Sequence, residues 1–232
     1  MIHNVFFDLD GTLTDPKDGI TRCIQFALGR LGREAPPNDE LLWCIGPPLR
    51  QSFSRLLKSD DRGLLDIALQ HYRERFSEVG IYENSVYPGI AAALQKIYAG
   101  GLRIFLATAK PKVFAIRILE HFDLLQYFDG IYGSELDGRL SEKADLVAHI
   151  LKTEGLNPEV SLMVGDRFHD VMGGKQNGVA TAAVMYGYGS REEIEDAGPD
   201  FIFHSPSDLA VYLERTIGSV TTANRSPVGR SG

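Results

Sequence analysis

The second half of the chain alternates short apolar runs with stretches of helical spacing, and this alternation restricts the fold more than any other feature. Apolar runs fall at residues 102–108, 130–133, 161–164, 180–185 and 201–203, and helical spacing occupies about 90–99, 113–122, 142–154, 170–176, 192–196 and 207–216. Strands that alternate with helices pair in parallel, through right-handed crossovers that put helices on both faces of the sheet. One more apolar run, Val5, Phe6 and Phe7, opens the chain. The expected core is an α/β, Rossmann-like parallel sheet.

The stretch between that first strand and the next sets the domain plan. Nearly a hundred residues separate Asp10 from the run at 102–108, whereas a crossover between parallel strands needs about a dozen. The intervening residues read as helices. Ile20, Ile24, Ala27, Leu28 and Leu31 repeat at spacings of three and four. A short helix is expected at 38–44 behind Asn38, another at 50–57, and a longer one at 64–79 with Leu65, Ala68, Leu69, Tyr72 and Phe76 on its stripe. No strand is expected between Asp15 and Val86. The plan is a core of residues 1–14 and 87–218, an all-helical cap inserted at 15–86, and a disordered tail at 219–232, whose small polar residues carry no pattern.

Composition agrees with this plan. The 232 residues, 44% apolar and 24% charged, can build a sizeable core. A net charge of −7 argues against a nucleic-acid polymer or an anionic membrane as principal partner, and no apolar stretch reaches the roughly 20 residues that span a bilayer. The N-terminus lacks the basic start of a signal peptide, and Cys23 and Cys44 make no disulfide framework. A cytoplasmic protein with two buried thiols is expected.

The opening strand runs into Asp8-Leu9-Asp10-Gly11-Thr12. Side chains at i and i+2 of an extended segment share a side, so the two carboxylates should enter one small volume. They repel there unless a cation or a shared proton offsets the cost. A calcium loop would need glycine and glutamate where Leu13 and Gly19 stand. Asp10-Gly11 is also an ordinary hairpin-turn dipeptide, although no partner strand follows directly. Against the turn stands a divalent metal site in which one carboxylate attacks as nucleophile and the other moves protons.

Ligands of an open parallel sheet bind beyond the carboxyl ends of its strands. There Thr108-Ala109-Lys110-Pro111 offers a hydroxyl and backbone N–H groups to a phosphate oxygen. Gly165-Asp166-Arg167-Phe168-His169-Asp170 brings two further acids, and oxygen ligands from two strands suit Mg²⁺ better than zinc. Lys110 and Lys143 are available to neutralise phosphate charge. Each piece alone has a plainer reading, as a helix cap, as acids placed for a helix dipole, or as a solvated lysine. His169 fits a solvent-facing or indirect role better than that of general base. Gly173-Gly174-Lys175 fails as a P-loop, with His169 in place of the first glycine and Gln176 in place of Ser/Thr. Gly187-Tyr188-Gly189 fails as a dinucleotide fingerprint, because Glu192 replaces the third glycine.

Taken together these motifs resemble the haloacid dehalogenase superfamily, in its phosphatase branch with a helical cap after the first motif, over about residues 2–217. The resemblance implies Asp8 as the nucleophile that forms an aspartyl-phosphate. It implies Asp10 as general acid/base whose backbone carbonyl meets Mg²⁺, Thr108 as phosphate holder, and Asp166 and Asp170 as metal and supporting ligands. The family's lysine falls on Lys143, with Lys110 the rival, since Ala144 stands where a proline often follows. The dehalogenases lack the second aspartate, so Asp10 points to phosphoryl chemistry. The stretch from Ile45 to Phe53 resembles that of phosphoglycolate-phosphatase-like proteins and makes Arg50 available to an anionic substrate tail. The expectation is a Mg²⁺-dependent phosphatase, monomeric or homodimeric, acting on a small phosphorylated metabolite, with phosphoglycolate first. A 5′-nucleotidase, a pyrophosphatase, a sugar phosphomutase and a non-catalytic phosphometabolite-binding protein are the alternatives.

Overall fold

A computed structural model describes residues 1–217, and the tail expected at 219–232 lies outside the described residues. The strands are β1 (Asn4–Phe7), β2 (Thr14–Asp15), β3 (Ser85–Val86), β4 (Arg103–Pro111), β5 (Gly130–Ser134), β6 (Ser161–Gly165), β7 (Ala180–Val184) and β8 (Phe201–Phe203). Six of them form one parallel sheet in the order β5-β4-β1-β6-β7-β8, with β1 in the middle between β4 and β6. The helices are α1 (Lys17–Arg30), α2 (Leu49–Leu57), α3 (Arg62–Arg75), α4 (Ile90–Ala99), α5 (Lys112–His121), α6 (Lys143–Glu154), α7 (Phe168–Gln176), α8 (Arg191–Ala197) and α9 (Pro206–Ile217). None of the described helices is long and apolar enough to cross a membrane.

Side chains alternate across a strand, and the two faces of the sheet fill accordingly. Val5, Phe7, Ile104, Leu106, Leu162 and Val164 join one apolar cluster with Leu94 of α4, Ile118 of α5 and Leu213 of α9. Phe6, Phe105, Ala107 and Met163 belong to a second cluster with Leu146, Val147 and Ile150 of α6. The first cluster continues through Leu9 and Leu13 to Ile20 and Ile24 of α1 and Leu65 of α3. The helices that follow the acidic turn are therefore apolar neighbours of the sheet.

Several details differ from the sequence reading. The run at 102–108 continues as strand to Pro111. The helix expected at 64–79 starts at Arg62, where the Asp61 side chain accepts from the Leu64 N–H at 2.7 Å. It gives way at Phe76–Gly80 to a π turn. That turn lies against α1 at Gly19, where an added Cβ would stand 2.1 Å from the Gly80 carbonyl oxygen. The Asn38–Cys44 segment is a 3-10 helix. The reading places no strand between Asp15 and Val86, yet β3 begins at Ser85 and pairs antiparallel with β2, Thr14 opposite Val86. Two residues are too few to carry a period, so only the fold brings out this pairing.

Candidate active site

The chain turns sharply after β1. The Leu9 carbonyl accepts from the N–H groups of Thr12, Leu13 and Thr14, and Gly11 sits at φ +85°. A Cβ on Gly11 would lie 2.1 Å from Asp166 Oδ2, so only glycine lets the end of β6 close on this turn. Asp8 and Asp10 are both buried, at 4% and 7% exposure. Their carboxylates meet different lysines. Lys143 Nζ, on the first residue of α6, lies 2.9 Å from Asp8 Oδ1, 2.7 Å from Asp170 Oδ1 and 2.8 Å from the Ala107 carbonyl. Lys110 Nζ lies 2.5 Å from Asp10 Oδ2 and 4.8 Å from the centre of the Phe76 ring.

Asp8, Asp166 and Asp170 bring one carboxylate oxygen each to within 4.8 Å of one another, all three buried. Burial, followed by the charges of Asp170 and Asp8, holds the Asp166 carboxyl well above its ordinary value. Burial likewise raises Asp170, with Lys143 pulling the other way. For Lys143 burial works against its charge, but Asp170 and Asp8 outweigh it and keep the ammonium charged. Three buried carboxylates around a single lysine are short of positive charge. Their hard oxygen donors fit a Mg²⁺ ion, with Asp8, Asp166 and Asp170 as the side chains that would hold it. The Asp10 side chain is not in this cluster.

The other expected residues surround the same point. Thr108 is 1% exposed, and its hydroxyl accepts from the Lys110 N–H at 3.2 Å. The Ala109 carbonyl accepts from the Ser134 hydroxyl at 2.7 Å. Arg50 lines the mouth of the site, but its guanidinium is half exposed and paired with Asp66. His169 stands beside Asp8 and Lys143. Burial, then the nearby Arg167 and Lys143 charges, bring it down to about 4, so it is neutral at pH 7.

Some contacts had no signal in the sequence. The Tyr188 N–H donates to Asp166 Oδ2 at 2.7 Å, while its hydroxyl donates to Asp15 of β2. The Thr12 hydroxyl donates to Asp166 Oδ1 at 3.4 Å. A Cβ on Gly187 would stand 2.3 Å from the Gly11 carbonyl oxygen and 2.4 Å from Asp166 Cβ. Gly187-Tyr188-Gly189, which fails as a nucleotide fingerprint, is thus the wall that seats Asp166. Arg167, 8% exposed, donates to the Ile45 carbonyl and pairs with Glu193 at 2.8 Å, tying the acidic turn to the loop before α2.

A family model described as haloacid dehalogenase-like hydrolase matches residues 5–184. A 5′-nucleotidase of Pseudomonas aeruginosa is 47% identical over 211 residues, covering 91% of this chain and 94% of its own. A phosphoglycolate phosphatase of Aquifex aeolicus is 29% identical and covers 92% and 97%. The crystal structure of a predicted phosphatase from Clostridium acetobutylicum superposes with a TM-score of 0.89 at 38% identity, covering 93% of this chain and all of that one.

Proposed function

The chain belongs to the haloacid dehalogenase-like hydrolase family and is a phosphoric monoester hydrolase, and on that premise we propose that it cleaves a small phosphomonoester through an aspartyl-phosphate on Asp8. The observation that carries the reading is the division of labour between the two lysines. Lys143 aligns the Asp8 carboxylate from the side of Asp170, while Lys110 takes one oxygen of Asp10 and leaves the other, Oδ1, buried without a hydrogen-bond partner among the described residues. A carboxyl with a free oxygen in that position is suited to give and take a proton. Burial raises its proton affinity and Lys110 opposes that rise.

In this reading Asp8 attacks phosphorus in line, and the bond to the leaving alcohol breaks as Asp10 protonates its oxygen. Asp10 then takes a proton from the water that hydrolyses the acyl-phosphate, returning Asp8 and releasing phosphate. Lys143, the Thr108 hydroxyl, itself held by the Lys110 N–H, and the backbone N–H at Ala109 orient the phosphoryl oxygens. Asp8, Asp166 and Asp170, with the Asp10 carbonyl, would hold Mg²⁺, which when bound would supply positive charge to the phosphoryl group. Arg50 stands at the mouth, where an anionic tail would compete with Asp66 for it. The names of the relatives leave two alcohols in view, a two-carbon carboxylate and a nucleoside.

The test is phosphate release from a panel containing phosphoglycolate, nucleoside 5′-monophosphates and pyrophosphate, with Mg²⁺ or with EDTA. Wild type should turn over at least one member only with Mg²⁺, and Asp8→Asn should lose at least about 10³-fold in kcat, as removal of a nucleophile does. A fully active Asp8→Asn protein would falsify the covalent route.

A further inference from the structure

Beside the reacting groups lies a chamber of about 300 Å³, at the lower end of the volumes, about 300–1,000 Å³, that take a whole organic ligand. Leu69, Tyr72, Phe76 and Phe114 form one wall. The Tyr72 and Phe76 rings stack at 5.3 Å and 16°, and Phe114 meets Phe76 edge-on at 5.3 Å and 76°. Phe53, fully buried, backs Tyr72 at 6.3 Å and 79°. A wall of packed rings gains most from covering another flat apolar surface. A two-carbon alcohol has almost none to offer.

The charges around the chamber are already engaged. Lys110 is paired with Asp10, Arg50 with Asp66, and Arg73 donates to the Leu136 carbonyl at 2.9 Å. Glu135 and Asp137 line the same space and disfavour a second carboxylate. Tyr72 differs from all of these. It is 6% exposed, it lines the chamber, and its hydroxyl has no hydrogen-bond partner among the described residues. Burial, reinforced by Cys23 and Asp10, keeps the phenol protonated throughout the working range, so it can both donate and accept. A hydroxyl beside a ring-lined chamber, with no protein partner among the described residues, can bond a polar group of a ligand.

We propose that Tyr72 is the specificity residue for the leaving alcohol: its hydroxyl bonds a neutral polar group on a flat, ring-bearing alcohol of the nucleoside class, whose ring lies against Phe76 and Phe114. This rests on the reading of Asp8 as phosphatase nucleophile. Phe76 is a poor place to test it, because its ring also carries Lys110 and thus touches Asp10 indirectly. Tyr72→Phe keeps every ring contact and removes one oxygen.

The experiment measures kcat/KM for adenosine 5′-monophosphate, phosphoglycolate and acetyl phosphate in wild type, Tyr72→Phe and Asp8→Asn. Acetyl phosphate gauges the phosphoryl step, since its leaving group is too small to fill the chamber. Wild type should prefer the nucleotide to phosphoglycolate. In Tyr72→Phe the ratio of nucleotide to acetyl phosphate should fall roughly threefold to tenfold, the loss of one hydrogen bond, and inhibition by adenosine should weaken by a similar factor. Turnover of acetyl phosphate that depends on Asp8, with phosphoglycolate preferred or the ratio unchanged in Tyr72→Phe, overturns the role of Tyr72 and leaves the phosphatase reading intact. Asp8-independent turnover, or no turnover of any of the three, removes that reading and this inference with it.

Discussion

Among the described residues Lys143 is the cation paired with the acidic cluster, and replacing it with methionine tests how the cluster is kept together. The side chain is 5% exposed and reaches Asp8, Asp170 and the Ala107 carbonyl at 2.7–2.9 Å. Its stem packs on α7 at Gly173, where an added Cβ would meet Lys143 Cγ at 2.7 Å. Methionine keeps most of that stem, so the perturbation is chiefly the lost charge. Removing one partner of a buried ion pair costs about 3–5 kcal/mol, because the other partner stays buried and uncompensated. For a chain of this size each kcal/mol moves Tm by about 2–4 °C, so Lys143→Met should melt roughly 6–20 °C below wild type in EDTA. Saturating Mg²⁺ should raise the variant above its own melting point in EDTA, by about 2.7 kcal/mol at a hundredfold excess over its Kd. Phosphate release should fall about 10²–10³-fold even with Mg²⁺, the usual effect of deleting one preorganised charge at the reacting group. Thermal melts followed by circular dichroism, with EDTA and with a Mg²⁺ series, read the first two effects. A variant that melts within about 2 °C of wild type in EDTA refutes the claim that Lys143 compensates the acids.

Gly187→Ala should force the 187–189 loop away from Asp166, since the new Cβ would meet backbone and Asp166 rather than a flexible side-chain end. We expect a stability loss of about 1–3 kcal/mol and a higher Mg²⁺ concentration for half-maximal activity, both read from Mg²⁺ titrations of melting and of turnover. The two cysteines predict an alkaline limit. Burial pushes Cys23 up to about 11 and Cys44 up to about 12, from an ordinary thiol value of 9.0. Their contribution to stability is therefore complete below pH 9 and is lost as pH rises toward 11–12, where the unfolded chain releases protons that the folded one retains. In the native protein at pH 8 neither thiol should react with iodoacetamide within the time that urea-unfolded chains react fully, and stoichiometric native labelling would contradict this burial.

The strands of the sheet are legible because each is a short apolar run between helices, and their carboxyl ends point to Asp8, Thr108 and Asp166 from the sequence alone. The structure brings Asp8, Asp166, Asp170 and Lys143 together. Periodicity carried no trace of Tyr188, whose N–H seats Asp166, or of Arg167, which crosses to Ile45. Both contacts join segments far apart in the chain, and nothing local requires them. Gly187 and Gly189 are visible and their nucleotide reading fails at Glu192, but nothing in their spacing says that they let Asp166 pack closely. Asp8 and Asp10 looked like one acidic pair from their spacing. The turn at Leu9 sends their carboxylates to separate lysines, which extended-strand geometry does not foresee.

The ribbon of β2 and β3 makes Thr14 and Val86 neighbours, so the excursion between them leaves the scaffold and rejoins it at a single address. The entropy of closing such a loop grows only with the logarithm of its length, about 0.6 kcal/mol for each doubling. A longer, shorter or differently wound excursion can thus hang from the same seam at little thermodynamic penalty, without touching the order of the sheet. Leu69, Tyr72 and Phe76 of the ring wall belong to that excursion, whereas Phe114, Asp8, Lys143 and Asp166 belong to the sheet and the helices around it. Under the proposal above, three of the four wall residues that would meet the alcohol therefore lie on a different length of chain from the groups that would cleave its phosphate.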